Sequence, residues 1–104
     1  MYEFAWRSPA FNGLFGACHA LEIAFVFDTL DEGFKPMVGP LLGTDPPQQL
    51  AYTMHAAWVG FATNGDCGWP KYDLSRRATM RFDTTSEVVD DPRSVERALW
   101  EGVR

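Results

Sequence analysis

Cysteine is scarce in this 104-residue chain, with Cys18 and Cys67 the sole examples. Neither stands in a C-x-x-C pair, and two are too few for a disulfide framework, so both read as free thiols. No apolar run approaches the roughly 20 residues that a membrane-spanning helix needs. The first residues do not resemble a secretory leader, because Tyr2 to Arg7 is charged and Pro9 interrupts the chain soon after. None of the four serines (Ser8, Ser75, Ser86, Ser94) is flanked as G-x-S-x-G, which excludes a strand-to-helix nucleophile elbow within these residues. A Gly-rich phosphate loop is absent as well. Cys18, His19, His55 and Cys67 match no zinc spacing, so neither a metal nor another cofactor is expected. Basic residues are outnumbered 9 to 14 by acidic ones, for a net charge of −5. Arg76-Arg77 is the one adjacent basic pair and no basic stripe forms, which argues against nucleic acid and anionic membrane surfaces as partners.

What is present is aromatic. Hydrophobic residues make up 46% and charged residues 22%, as in a globular protein, but aromatics reach 14%, with four Trp and eight Phe. Rings in that number call for a sizeable core, whereas a chain this short buries only about 60–65% of its unfolded surface. The expectation is a piece of a larger domain. Tyr2, Phe4 and Trp6 alternate with Glu3 and Ala5 and predict a strand. Phe11 to Cys18 reads as a glycine-containing loop, and Asp28 to Gly43 as an irregular excursion rich in Gly, Pro and Asp. Over residues 46–64, Leu50, Met54, Ala57, Trp58 and Phe61 share one helical face. Asp45 suits the N-cap, Pro46 the first position and Gln48 the reciprocal position of a capping box, with Gly65 as the stop. Ala78 to Phe82 predicts an edge strand, and Asp91-Pro92 opens a terminal helix with Val95, Ala98 and Leu99 on one side.

Two residues stand out chemically. His19 follows small residues (Gly16, Ala17) and opens the apolar segment His19 to Phe27. An imidazole held there with one edge towards a cleft could accept and return a proton, since its reference pKa is about 6.5. A half-buried histidine bonded to a backbone carbonyl fits the same position. Glu22 lies one turn on if the segment is helical, where it either orients a neighbour or marks an exposed position. His55 borders the apolar stripe of the long helix and reads as a boundary residue.

Taken in order, Tyr2-Glu3-Phe4, then His19-x-x-Glu22-x-x-Phe25-Val26-Phe27, then Trp58-x-x-Phe61-Ala62-x-x-Gly65, then Trp69-Pro70-x-Tyr72 resemble the C-terminal end of the type-B carboxylesterases. That family includes para-nitrobenzyl esterases and cholinesterases, and the resemblance covers nearly the whole chain. It implies an α/β fold, residues 1–104 being the C-terminal part of an incomplete α/β-hydrolase domain: one core strand, a His-bearing loop, a long amphipathic helix, an edge strand and a short terminal helix. It implies hydrolysis of small carboxylic esters, with His19 as the triad histidine. Glu22 corresponds to a buried supporting glutamate. Phe11, Leu14, Phe15 and Cys18 correspond to a wall of the leaving-group pocket. The triad order Ser, acid, His places serine, acid and oxyanion hole upstream, so the partner implied is the N-terminal part of the hydrolase and the chain is expected to be inactive by itself. Cys67 and Ala24 stand where the family often has Pro. Such a chain is a remnant, a split product or an incomplete gene model, and its compartment, cytoplasmic or secreted, depends on sequence upstream. A non-catalytic cholinesterase-like binding or adhesion module is the rival reading; retention of His19 favours the enzyme lineage.

Overall fold

The computed structural model describes residues 1–31 and 35–103. Strand β1 (Tyr2–Phe4) leads through a 3-10 turn (Ala10–Gly13) to helices α1 (Ile23–Val26), α2 (Lys35–Leu42) and α3 (Gln48–Asn64). Strands β2 (Ala78–Phe82) and β3 (Glu87–Asp90) and helix α4 (Ser94–Ala98) complete the order. β1 runs parallel to β2 with Tyr2 opposite Met80, and β2 antiparallel to β3 with Ala78 opposite Asp90. A parallel pair needs a long crossover, and here the crossover carries α1 to α3: α1 and α3 lay rings on the sheet, while α2 packs against the 3-10 turn. β2 is thus the central strand of three rather than an edge strand. The outer strand, β3, holds just Val88 and Val89 between charged residues, too short an apolar pattern to announce itself.

The alternation in β1 directs its rings towards the helices. Phe4 and Trp6 meet Phe25 at centroid separations of 5.4 and 5.1 Å. Tyr2 meets Trp58 edge-on at 4.9 Å, and Trp58 lies 6.0 Å from Phe82. Trp6, Leu21, Phe25, Leu50, Met54 and Phe82 belong to one continuous core. On the opposite face Glu3 pairs with Arg93 and Arg81.

α3 forms where periodicity puts it, through buried Leu50, Ala51 and Met54 and the partly buried Ala57 and Trp58. Two details differ. Its N-cap is Pro47, without a side-chain cap, because a proline disfavours helical geometry in the residue before it and so denies Pro46 the first helical position. Gln48 accordingly donates to Asp28 Oδ1 instead of closing a capping box with Asp45. Phe61 is 61% exposed, lining an open recess with Met1, Tyr2, Cys67 and Trp69 rather than packing into the core. The stop at Gly65 is as expected: its φ is 77° and its N–H donates to the Phe61 carbonyl at 2.8 Å. Nothing lies within 4 Å of a Cβ built at Gly65, so Gly65→Ala isolates backbone strain. It should destabilise the protein by about 1 kcal/mol in chemical denaturation.

The stretch expected to be irregular contains α2. Val38 and Leu42, one turn apart, are buried, and that burial outweighs the poor propensity of Gly39 and Pro40. α4 forms, but Val95 and Leu99 are exposed, as is Trp100. Ion pairs hold it instead, Arg97 to Asp91 at 2.8 Å and Arg93 to Glu3. Hydrogen bonding from Arg97, reinforced by its charge and that of Arg77, holds the Asp91 carboxyl below its ordinary 3.8. A depressed folded value means the contribution is present above the unfolded pKa and is lost as pH falls through the folded one. α4 should therefore loosen on acidification below pH 3.8, seen as changes in the Leu99 and Trp100 amide resonances.

Candidate active site

The loop before His19 is closed by Ser8, a residue that carried no signal in the sequence. Ser8 is buried, its N–H donates to the Gly16 carbonyl at 3.2 Å, and its hydroxyl accepts from the Ala10 N–H at 3.0 Å while donating to the Leu41 carbonyl. Glycine suits position 16 at the closure: its φ is 56°, and a Cβ there would press on the Arg7 guanidinium at 3.1 Å. Between these points Phe11, Leu14 and Phe15 project outward, and the Phe11 and Phe15 rings stand edge-to-face at 5.5 Å. Cys18 does not join them. It is half-buried and packs against the core.

His19 comes next, on a tight turn. The Leu21 N–H donates to the Cys18 carbonyl at 3.3 Å and the Ile23 N–H to the Ala20 carbonyl at 3.3 Å. Ala20 has a φ of 66°, a left-handed conformation that is costly for a residue with a Cβ and persists only where surrounding packing imposes it. That packing is visible: Leu21, Ala24 and Phe25 are fully buried just beyond the turn. His19 itself is exposed. The turn thus has an anchored base, and among the described residues no hydrogen bond reaches the imidazole. It is not a carbonyl-bonded, half-buried histidine.

Glu22 is half-buried, less enclosed than the resemblance implies. Its carbonyl accepts from the Phe25 and Val26 N–H groups at 3.0 and 2.9 Å, so its backbone starts α1. Among the described residues no hydrogen bond or ion pair joins its carboxylate to His19. His55, on α3, places Nδ1 2.9 Å from the Val26 carbonyl.

Two recesses lie along α3. One of about 430 Å³ is lined by residues including Ala57, Asp66, Cys67, Trp69 and Phe82; another of about 270 Å³ lies between Tyr2, Trp58, Phe61, Cys67 and Trp69. His19 lines neither. Cys18 and Cys67 are free thiols. Among the described residues no group of three or more His, Cys, Asp or Glu side chains could hold a metal ion, and no helix is long and apolar enough to cross a membrane.

No family model matches the chain. It is 36% identical to the para-nitrobenzyl esterase of Bacillus subtilis, over 93% of the chain and 20% of that protein. It is 35% identical to the phenmedipham hydrolase of Pseudarthrobacter oxydans, over 94% of the chain and 20% of that protein. Among solved structures, a Geobacillus stearothermophilus carboxylesterase superposes with a TM-score of 0.75 at 38% identity, covering 96% of this chain and 21% of the other. A PNB esterase superposes with a TM-score of 0.73 at 36% identity, over 94% of this chain and 20% of its own. The chain therefore spans about a fifth of the length of the curated relatives it matches. Alike in sequence and in fold to these ester hydrolases over more than nine-tenths of its residues, the chain belongs to the type-B carboxylesterase family of α/β-hydrolases.

Proposed function

We propose that this chain is the C-terminal segment of a serine carboxylesterase domain and that His19 is its general base and acid. In that role the imidazole takes the proton of an upstream serine as the serine attacks the ester carbonyl. It then protonates the departing alcohol, while an upstream carboxylate orients the ring and stabilises its charged form. The acyl-enzyme is released by water through the same two proton transfers. The sequence of events needs no metal and no cofactor. The observation that carries this reading is the exposed imidazole on a strained turn whose next residues are fully buried. Such a site holds a base rigidly against whatever packs over the turn. The exposed Phe11, Leu14 and Phe15 beside the turn suit the apolar wall of a leaving-group pocket, and the names of the relatives suit small carboxylic esters as substrates. Glu22 is assigned a supporting role behind the turn rather than a chemical one.

The test is a chimera in which this chain replaces the stretch it matches in the Bacillus subtilis para-nitrobenzyl esterase. The chimera should hydrolyse a short-chain nitrophenyl ester, whereas the 104-residue chain alone should show the slow background of an exposed imidazole or thiol. A folded but inactive chimera, or an isolated chain with about one titratable active site per molecule, would overturn the assignment.

A further inference from the structure

We infer that His55 is a positioning residue for the His19 turn, acting as a cap that α3 lends to α1. A helix as short as α1 leaves its last carbonyls without partners of its own. The Ala24 carbonyl accepts from the Thr29 N–H at 2.9 Å and the Phe25 carbonyl from the Asp28 N–H at 3.2 Å. For the Val26 carbonyl no backbone donor is found among the described residues, and Val26 is buried, so water is poorly placed to substitute. His55 Nδ1 fills that place at 2.9 Å. A carbonyl can only accept, so Nδ1 carries the hydrogen, and in the neutral ring Nε2 is left as an acceptor on the exposed side. The histidine also sits at the negative end of α1, where its donor is favoured.

The path to His19 is short. Val26 donates its N–H to the Glu22 carbonyl at 2.9 Å, Glu22 begins α1, and the Ala20 carbonyl takes the Ile23 N–H one residue later. Gln48 adds a second tie from α3, to Asp28 just past the end of α1. α1 is therefore fixed to α3 at its exit by polar bonds as well as by Phe25 and Met54 in the core. A loosened exit lets α1 and the strained Ala20 turn relax, and the imidazole loses its aim without losing any atom of its own.

Two measurements test this. In the chimera, active or not, amide exchange of Val26 and Phe27 should be slow, and His55→Ala should speed it roughly tenfold, as expected when a part-buried acceptor loses its donor. His55→Asn, whose side-chain amide can place a donor near the Nδ1 position, should restore slow exchange. Unprotected amides in the folded parent chimera, or exchange unchanged by His55→Ala, would overturn the inference. The catalytic half rests on the esterase reading and is measured in the chimera. His55→Ala should lower kcat per titrated active site about tenfold with KM nearly constant, and His55→Asn should recover it. A purely structural role would reduce the number of titrated sites and leave kcat per site alone, and that result would sink the positioning role. Failure of the esterase reading is distinguishable, since it shows as an inactive parent chimera while the exchange result still decides whether His55 caps α1.

Discussion

His19→Ala, placed in the chimeric esterase, should lower turnover of a nitrophenyl ester by about a millionfold, the scale recorded when the histidine of a serine-protease triad is removed. The loss is that large because triad members act as a unit: without the base, the serine remains protonated and the leaving alcohol has no proton donor. The melting temperature should move far less than the rate, because among the described residues the imidazole makes no hydrogen bond and the turn is held by its own backbone. The turn does not depend on it. Its hydrogen bonds are made by backbone groups of Cys18, Ala20, Leu21 and Ile23, and Leu21, Ala24 and Phe25 hold it from below. Steady-state kinetics on titrated active sites, with thermal unfolding of the same samples, separates the two effects. Near-normal turnover in the variant would mean that His19 is not the base. A large fall in melting temperature with the lost activity would mean that it supports the turn instead of serving the chemistry.

Much of this architecture was legible from residue patterns, and the exceptions have physical causes. Tyr2, Phe4 and Trp6 point to one side as their alternation predicts, because a parallel strand covered by helices must place its rings there. The buried face of α3 agrees with its spacing as far as Trp58. It stops short of Phe61 because periodicity reports a helical face, whereas burial requires something to lie against it. The helix start moved from Pro46 past Pro47 through a constraint between adjacent prolines that cap preferences do not include. α2 and β3 were hidden for a common reason. Gly39 and Pro40 in one, and the brevity of the other, weaken the local signal, and packing on neighbouring elements, the 3-10 turn for α2 and the β2 hairpin partner for β3, supplies the missing stability. His19 was visible as a type of residue in a type of place. The turn that exposes it depends on a left-handed Ala20, which no residue preference foretells. Ser8 and His55 were the least legible, since their roles consist of bonds to carbonyls 33 and 29 residues away.

Phe25→Ala should be among the most destabilising single changes in the chain, and the site makes its cost more than a matter of folding. The ring is fully buried, touches Phe4 and Trp6, and belongs to the helix that begins just beyond His19. Truncating a buried phenylalanine removes its transfer free energy and leaves a cavity that the surroundings close only in part, at a cost of about 3–5 kcal/mol. Complete domains are stable by only about 5–15 kcal/mol and an incomplete one has less to spare, so the variant should lose most of its stability. At roughly 4–8 °C per kcal/mol, its midpoint should fall by at least about 12 °C. Phe61→Ala provides the control. Its ring has the same chemistry but is 61% exposed, so its removal should cost no more than about 0.5 kcal/mol. Paired denaturant titrations of the two variants decide the matter. A Phe25→Ala loss below about 1 kcal/mol, or equal losses for both, would show that α1 is not anchored as described. The His19 turn would then lack the rigid base on which its proposed catalytic role depends.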